Sequence, residues 1–115
     1  MGAFIDSRTE LVANLEAAGL TVCLRLEDVR PPCVWPMFFD FDHGLLDGGG
    51  ELRWRLHLIE DPTDDERLLE NLENMLDKLA AGGIYPSENT TLVGVRVTEN
   101  DQPLPALQVT ITDTI

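Results

Sequence analysis

Basic residues are what this sequence has least of. Eight Lys and Arg face 21 Asp and Glu, a formal net charge of −13. Direct nucleic-acid binding relies on basic patches that release counterions from phosphates, and the densest basic pair here is Arg53 with Arg55. The chain is therefore expected to repel DNA. That excludes nucleic-acid binding, or else suits a surface that DNA must slide past without adhering. Cysteine is equally scarce, with Cys23 and Cys33 as the only two. The N-terminus has no basic, apolar and small-residue progression, so no secretory signal is expected. Two reduced, buried thiols are then expected rather than a disulfide. Neither has a sequence-adjacent base or a helix N-terminus to activate it as a nucleophile. No apolar run approaches the roughly 18 residues of a membrane span. A phosphate loop and a dinucleotide fingerprint are also missing. The dense acids Glu60, Asp61, Asp64, Asp65 and Glu66 lack the alternating ligands and central glycine of a calcium loop.

What is present is ordinary for a globular domain: 115 residues, 43% hydrophobic and 25% charged. That length argues for one domain, residues 1–115, and one core. A chain of this size buries roughly two-thirds of its unfolded surface. The strongest local signal runs from Asp61 to Gly83. Thr63 and Glu66 have the spacing of a capping box, and Asp64, Asp65 and Glu66 suit the positive end of a helix dipole. Leu68, Leu69, Leu72, Met75, Leu76 and Leu79 then draw one apolar stripe at three- and four-residue steps. Gly82-Gly83 supplies a helix stop. The spacing predicts a helix of about five turns that needs a sheet or another helix to cover its leucines.

The remaining segments supply that cover. Ser7 and Glu10 form a second capping-box pattern, followed by Leu11, Leu15 and Ala18 and a stop at Gly19. Leu20, Val22, Leu24 and Leu26 alternate with polar residues, which predicts a half-buried strand. Pro31-Pro32 is a rigid bend. Cys33 to Phe41 is apolar and aromatic and reads as a strand, with Pro36 placing it at an edge or a bulge. Asp42 to Gly50 is a glycine-rich loop expected to be flexible. Glu51 to Glu60 is the cleanest strand, with Leu52, Trp54, Leu56 and Leu58 on one side and Arg53, Arg55 and His57 on the other. Thr91 to Thr98 and Ala106 to Thr112 read as an antiparallel pair joined by the turn-rich connector Glu99 to Pro103. The expectation is an α+β domain: a four- or five-stranded mixed or antiparallel sheet with both helices on one face. The other face, carrying Arg53, Arg55, His57 and Arg96, is expected to be polar, and either solvated or pressed against a partner.

The nearest approach to a chemical site is Asp40, Asp42 and His43. Two carboxylates and an imidazole are ligands for a divalent cation. No further ligand is placed by spacing, and a solvated strand end leading into a glycine loop is the simpler reading. His57 lies on the polar side with no nucleophile beside it, which argues for a surface or interface histidine. Composition and spacing predict no catalysis, cofactor or metal.

The order of these segments resembles the tail terminator proteins of long-tailed, non-contractile bacteriophages, especially those of actinobacterial hosts. The matching pieces are the opening S-R-T-E-L-V-A-N-L-E-A-A-G-L, then Pro31-Pro32 with Val34-Trp35, then L-R-W-R-L-H-L after a glycine loop. The L-L-x-x-L-x-x-M-L helix and the closing P-L-P-A-L-Q-V-T-I-T complete them. The resemblance spans nearly the whole chain. It implies a structural virion protein that assembles as a homohexameric ring on the head-proximal end of the tail tube. It implies three partners: its own copies, the tail tube protein and a head-tail connector or head-closure protein. DNA would pass through the ring without specific binding, in a protein made in the host cytoplasm and resident in the virion neck, with no membrane contact. Another neck protein, a head-closure or tail-completion protein, fits the same size. An acidic DNA mimic fits the charge. The expected contact residues are Arg53, Arg55 and His57 on the polar face, Asp42 and Asp47 in the glycine loop, and Glu99 and Asp101 in the connector.

Overall fold

The computed structural model describes residues 2–43 and 49–114. Its elements are helix α1 (Ala3–Ala17), strand β1 (Cys33–Asp42), strand β2 (Glu51–Ile59), helix α2 (Asp65–Ala81), strand β3 (Thr91–Val95) and strand β4 (Leu104–Thr114). The strands form one four-stranded antiparallel sheet in the order β1-β2-β4-β3. The fold is α+β, with two helices on one sheet face. Leu11 and Leu15 of α1 and Met75 and Leu79 of α2 share a core with Leu52, Trp54, Leu56 and Leu58 of β2. The even positions of β2 face the helices, as the alternation predicts.

Both helices end in the same way. Gly83 (φ +77°) follows α2, Gly83 N–H donates to Ala80 O, and Ile84 N–H donates to Leu79 O at 2.9 Å. Gly19 (φ +89°) follows α1, with Gly19 N–H to Glu16 O and Leu20 N–H to Leu15 O at 3.1 Å. Each is a Schellman motif, and its customary apolar contact is made by Ile84 with Leu79 and by Leu20 with Leu15 inside the core. Both stops fall where the glycines predict them.

The helix starts differ from expectation. α2 begins one residue later than the Thr63–Glu66 box, because Asp64 is the cap and its Oδ1 accepts from Arg67 N–H at 3.0 Å. Asp outranks Thr at this position. α1 begins at Ala3, four residues before the Ser7–Glu10 pattern, after an extended Gly2 with no side-chain cap. Contacts of the Phe4 ring with Phe38 (5.4 Å) and Phe41 (5.1 Å) hold that first turn on the sheet. Ser7 therefore sits inside the helix. The α2 stripe is also narrower than predicted: Leu72, Met75 and Leu79 are buried, whereas Leu69 is 63% exposed.

The segment from Leu20 to Leu26 is not a strand. It makes one parallel bridge, Val22 to Val34, and then enters a short 3-10 turn at Leu26–Asp28. The alternation has another cause. Leu20 and Val22 pack on the helix side, and Cys23, Leu26 and Val29 pack on the opposite side with Cys33, Ile59, Val95 and Ala106. The helix-free face is therefore not polar throughout, since residues 23–29 cover its Ile59 end. Arg96 is off the sheet, with its guanidinium 3.5 Å from the Glu99 carbonyl in the β3–β4 connector.

Candidate functional site

The helix-free face carries three of the residues expected to make contacts, Arg53, Arg55 and His57. Register puts Arg53, Arg55 and His57 of β2 there, flanked by Asp40, Met37 and Trp35 of β1 and by Thr112, Thr110 and Gln108 of β4. A bulge between Phe38 and Asp40 inserts Phe39. Bulges re-aim side chains, and here the Phe39 ring comes under the Arg55 guanidinium at 3.6 Å, with Arg53 at 5.9 Å. Arg53 Nε donates to Asp40 Oδ1 at 2.6 Å, and Nη1 lies 3.6 Å from Glu88. Asp40 pushes the Arg53 guanidinium further up from its ordinary value. With its amide oxygen facing β2, Gln108 accepts from Arg55 Nε at 2.8 Å and Nη1 at 3.2 Å.

His57 departs most from expectation: it is buried, not a surface residue. Its ring stacks on Trp35 at 4.9 Å and 29°. Nδ1 lies 3.2 Å from the Trp35 carbonyl, and a carbonyl only accepts, so the proton belongs on Nδ1. Burial lowers its pKa, Arg55 adds to this, and the Trp35 carbonyl opposes it. Arg53 and Arg55 are thus built into a network of rings and carboxylates. Reversing Arg53 would set a third carboxylate between Asp40 and Glu88, so that change would disturb the face as well as any contact it makes.

The remaining predicted contact residues do not join this row. Asp42 lies at the Glu51 end of the sheet. Glu99 and Asp101 are exposed in the connector beyond the Ile59 end. Eight residues of β2 at about 3.3 Å each separate the two ends by roughly 26 Å. Asp47, and with it the expected flexibility of residues 44–48, falls outside the described residues. The Asp40, Asp42 and His43 group is divided: Asp40 and Asp42 share the helix-free face, but His43 packs edge-on at 4.5 Å against Phe41, whose ring meets Phe4. Among the described residues no three His, Cys, Asp or Glu side chains converge as metal ligands.

Cys23 and Cys33 are free and buried. Burial pushes the Cys33 thiol up to about 12, aided by a hydrogen bond with Cys23. A thiol held so far from its thiolate is a poor nucleophile.

One polar constellation escaped sequence reasoning. Trp54 Nε1 donates to Ser7 Oγ at 3.1 Å, and Ser7 Oγ donates to Asp113 Oδ2 at 2.7 Å. This chain lines a cleft of about 400 Å3 with Glu10, Asn14 and Tyr85. Its members lie 47 and 106 residues apart, beyond any spacing motif. Through these two bonds Ser7 ties α1 to β2 and β4. Comparison with protein-family models, curated proteins and solved structures finds no match for the chain.

Proposed function

We propose that this chain is a structural virion protein, a tail-terminator-like cap that closes the head-proximal end of a phage tail tube as a hexameric ring. The observation that carries the reading is the order of segments that resembles that family. Those segments fold as α1, β1, β2, α2 and β4, with the L-R-W-R-L-H-L stretch as the inner strand β2. The candidate site fits contact rather than chemistry: Arg53, Arg55 and His57 are each held by neighbouring rings, carboxylates or a carbonyl. A net charge of −13 suits a surface beside which DNA must pass without adhering. A cap stops growth by binding the tube end without offering the same surface again, and several small contacts made together raise avidity.

The test uses purified tail-tube protein with its length-setting partners. Adding this chain is expected to give tubes of fixed length bearing a ring at one end. Tubes that grow past that length without a ring would reject the reading in favour of another neck protein, a head-closure or tail-completion protein.

The acidic-mimic reading has one specific support. Glu66, Glu70, Glu73 and Asp77 form an exposed carboxylate row on α2. It predicts a tight 1:1 complex with a basic nucleic-acid-binding protein and no effect on tube length.

A further inference from the structure

Among the described residues Glu60 is the one buried carboxylate, 8% exposed. Its backbone N–H donates to the Pro105 carbonyl at 3.1 Å, so the β2–β4 ladder runs one residue past Ile59 and keeps Glu60 on the helix side with Leu58. Yet among the described residues its carboxylate has no hydrogen-bond or ion-pair partner. Burying a charge without a partner is costly.

Every fully enclosed side-chain polar atom among the described residues does have a partner. The Glu60 oxygens are therefore not sealed in. They open on a cleft of about 220 Å3 that Glu60 lines together with α2 and the turn after α1. Asn71, Asn74 and Lys78 of α2 line it at steps of three and four residues, which puts them on one side of the helix. Thr21 adds a hydroxyl, and Leu20 and Met75 add apolar wall.

What Glu60 lacks sets what the cleft can hold. An ionised carboxylate only accepts, so the occupant must be a donor and a cation. A calcium ion takes six to eight oxygens and is commonly held by several carboxylates; here Glu60 is the one carboxylate in the lining. An ammonium is already at hand, for Lys78 lines the same cleft, but it is exposed and forms no ion pair with Glu60. Ammonium is strongly hydrated and guanidinium weakly, so a guanidinium gives up less on meeting a buried carboxylate. Its planar fork bonds a carboxylate in two places and leaves N–H groups for amide and hydroxyl oxygens, the kind that Asn71, Asn74 and Thr21 carry. The volume is below the roughly 300–1,000 Å3 of pockets that enclose whole small molecules. It suits the tip of one side chain, its methylenes lying on Leu20 and Met75.

We propose that this cleft anchors an arginine side chain of a basic partner protein, with Glu60 pairing the guanidinium and Asn71 and Asn74 accepting from it. The net charge of −13 draws such a partner in. The anchor does not depend on the cap reading.

The probe is N-acetyl-L-argininamide, titrated into the 15N-labelled chain and followed by amide chemical shifts. Saturable shifts are expected at residues 19–21, 60 and 71–78. Glu60→Gln should weaken binding about tenfold or more, the loss of one charged hydrogen-bond partner. Glu73→Gln, the same charge change on the exposed side of α2, should leave it unaltered. If Glu60→Gln does not fold, Asn74→Phe, an exposed helix position whose ring would fill the cleft, should abolish the shifts instead. The neutral N-acetyl-citrullinamide should not bind. Lysinamide binding as tight as argininamide would overturn the choice of guanidinium, and so would saturable shifts at these residues with calcium chloride but none with argininamide. Weak shifts spread over the acidic surface and equally reduced by Glu73→Gln would overturn the site. Thermal melts supply the remaining check. An unpaired carboxylate stabilises nothing, so Glu60→Gln should melt no lower than the parent. A lower melt that Lys78→Met reproduces, with no further drop in the double variant, would show Lys78 as the true occupant and overturn the proposal.

Discussion

Ser7 offers a test in which two placements predict opposite signs. At the start of a helix, Ser→Gly costs only a few tenths of a kcal/mol and Ser→Ala about 1, so Gly is the milder change. Inside a helix the order reverses, because Gly is about 1 kcal/mol worse than Ala. The structure puts Ser7 four residues into α1, 5% exposed, accepting from Trp54 Nε1 and donating to Asp113. Ser7→Ala removes one neutral hydrogen bond worth about 1 kcal/mol and one to a carboxylate worth about 1.5–3. It regains about half a kcal/mol of helix propensity. The net expectation is a loss of about 2–3.5 kcal/mol, with Ser7→Gly lower by about a further 1 kcal/mol. Urea melts of both variants, with slopes checked for constancy, supply the comparison. A cycle adding Asp113→Ala should show coupling of about 1 kcal/mol or more between the two sites, since contacting residues are not additive. If Ser7→Gly is the more stable of the pair, or the cycle is additive, the interior placement of Ser7 is wrong.

Three further outcomes follow from burial. Leu72→Ala should cost about 2–5 kcal/mol in denaturant melts, whereas Leu69→Ala should stay within about half a kcal/mol, although both belong to the sequence stripe. Equal losses would place the wrong face of α2 on the sheet. His57, with its pKa lowered from 6.5, binds a proton less readily folded than unfolded. Its contribution is therefore complete above about pH 6.5 and is lost as pH falls toward the folded value. The wild-type chain should lose more stability than His57→Gln on acidification through that window, and parallel pH profiles would refute the buried, stacked ring. Cys23 and Cys33 should resist alkylation in the folded protein and take two labels when denatured without reductant. An unlabelled denatured chain would show a disulfide instead.

The fold was legible where one periodicity served one surface. β2 alternates between a helix side and a helix-free side along its whole length, and α2 and α1 stop at glycines that take the left-handed conformation. Sequence reasoning failed where a local pattern had two physical meanings. S-x-x-E spells a capping box, yet Ser7 is spent on Trp54 and Asp113, and Phe4 contacts replace the cap it would have made. The alternation of Leu20 to Leu26 spells a strand, yet its residues divide between two cores as the chain rounds the β1 edge. Leu69 continues a stripe that α2 is too narrowly covered to bury.

The site was legible only in its alternation. That Arg53, Arg55 and His57 share a side could be read from β2, but the ring under Arg55 comes from a bulge and the burial of His57 from Trp35. Neither has a local signature. The charges show a related division. Glu66, Glu70, Glu73 and Asp77 lie three and four residues apart on α2, and such like-charged pairs each cost a helix about 0.2–0.5 kcal/mol. Asp65 and Glu66 recover part of this at the helix N-terminus. The acid is thus crowded onto an outer helix surface at a local cost, while β3 holds no carboxylate. For a chain of −13, repulsion opposes every approach of one copy to another.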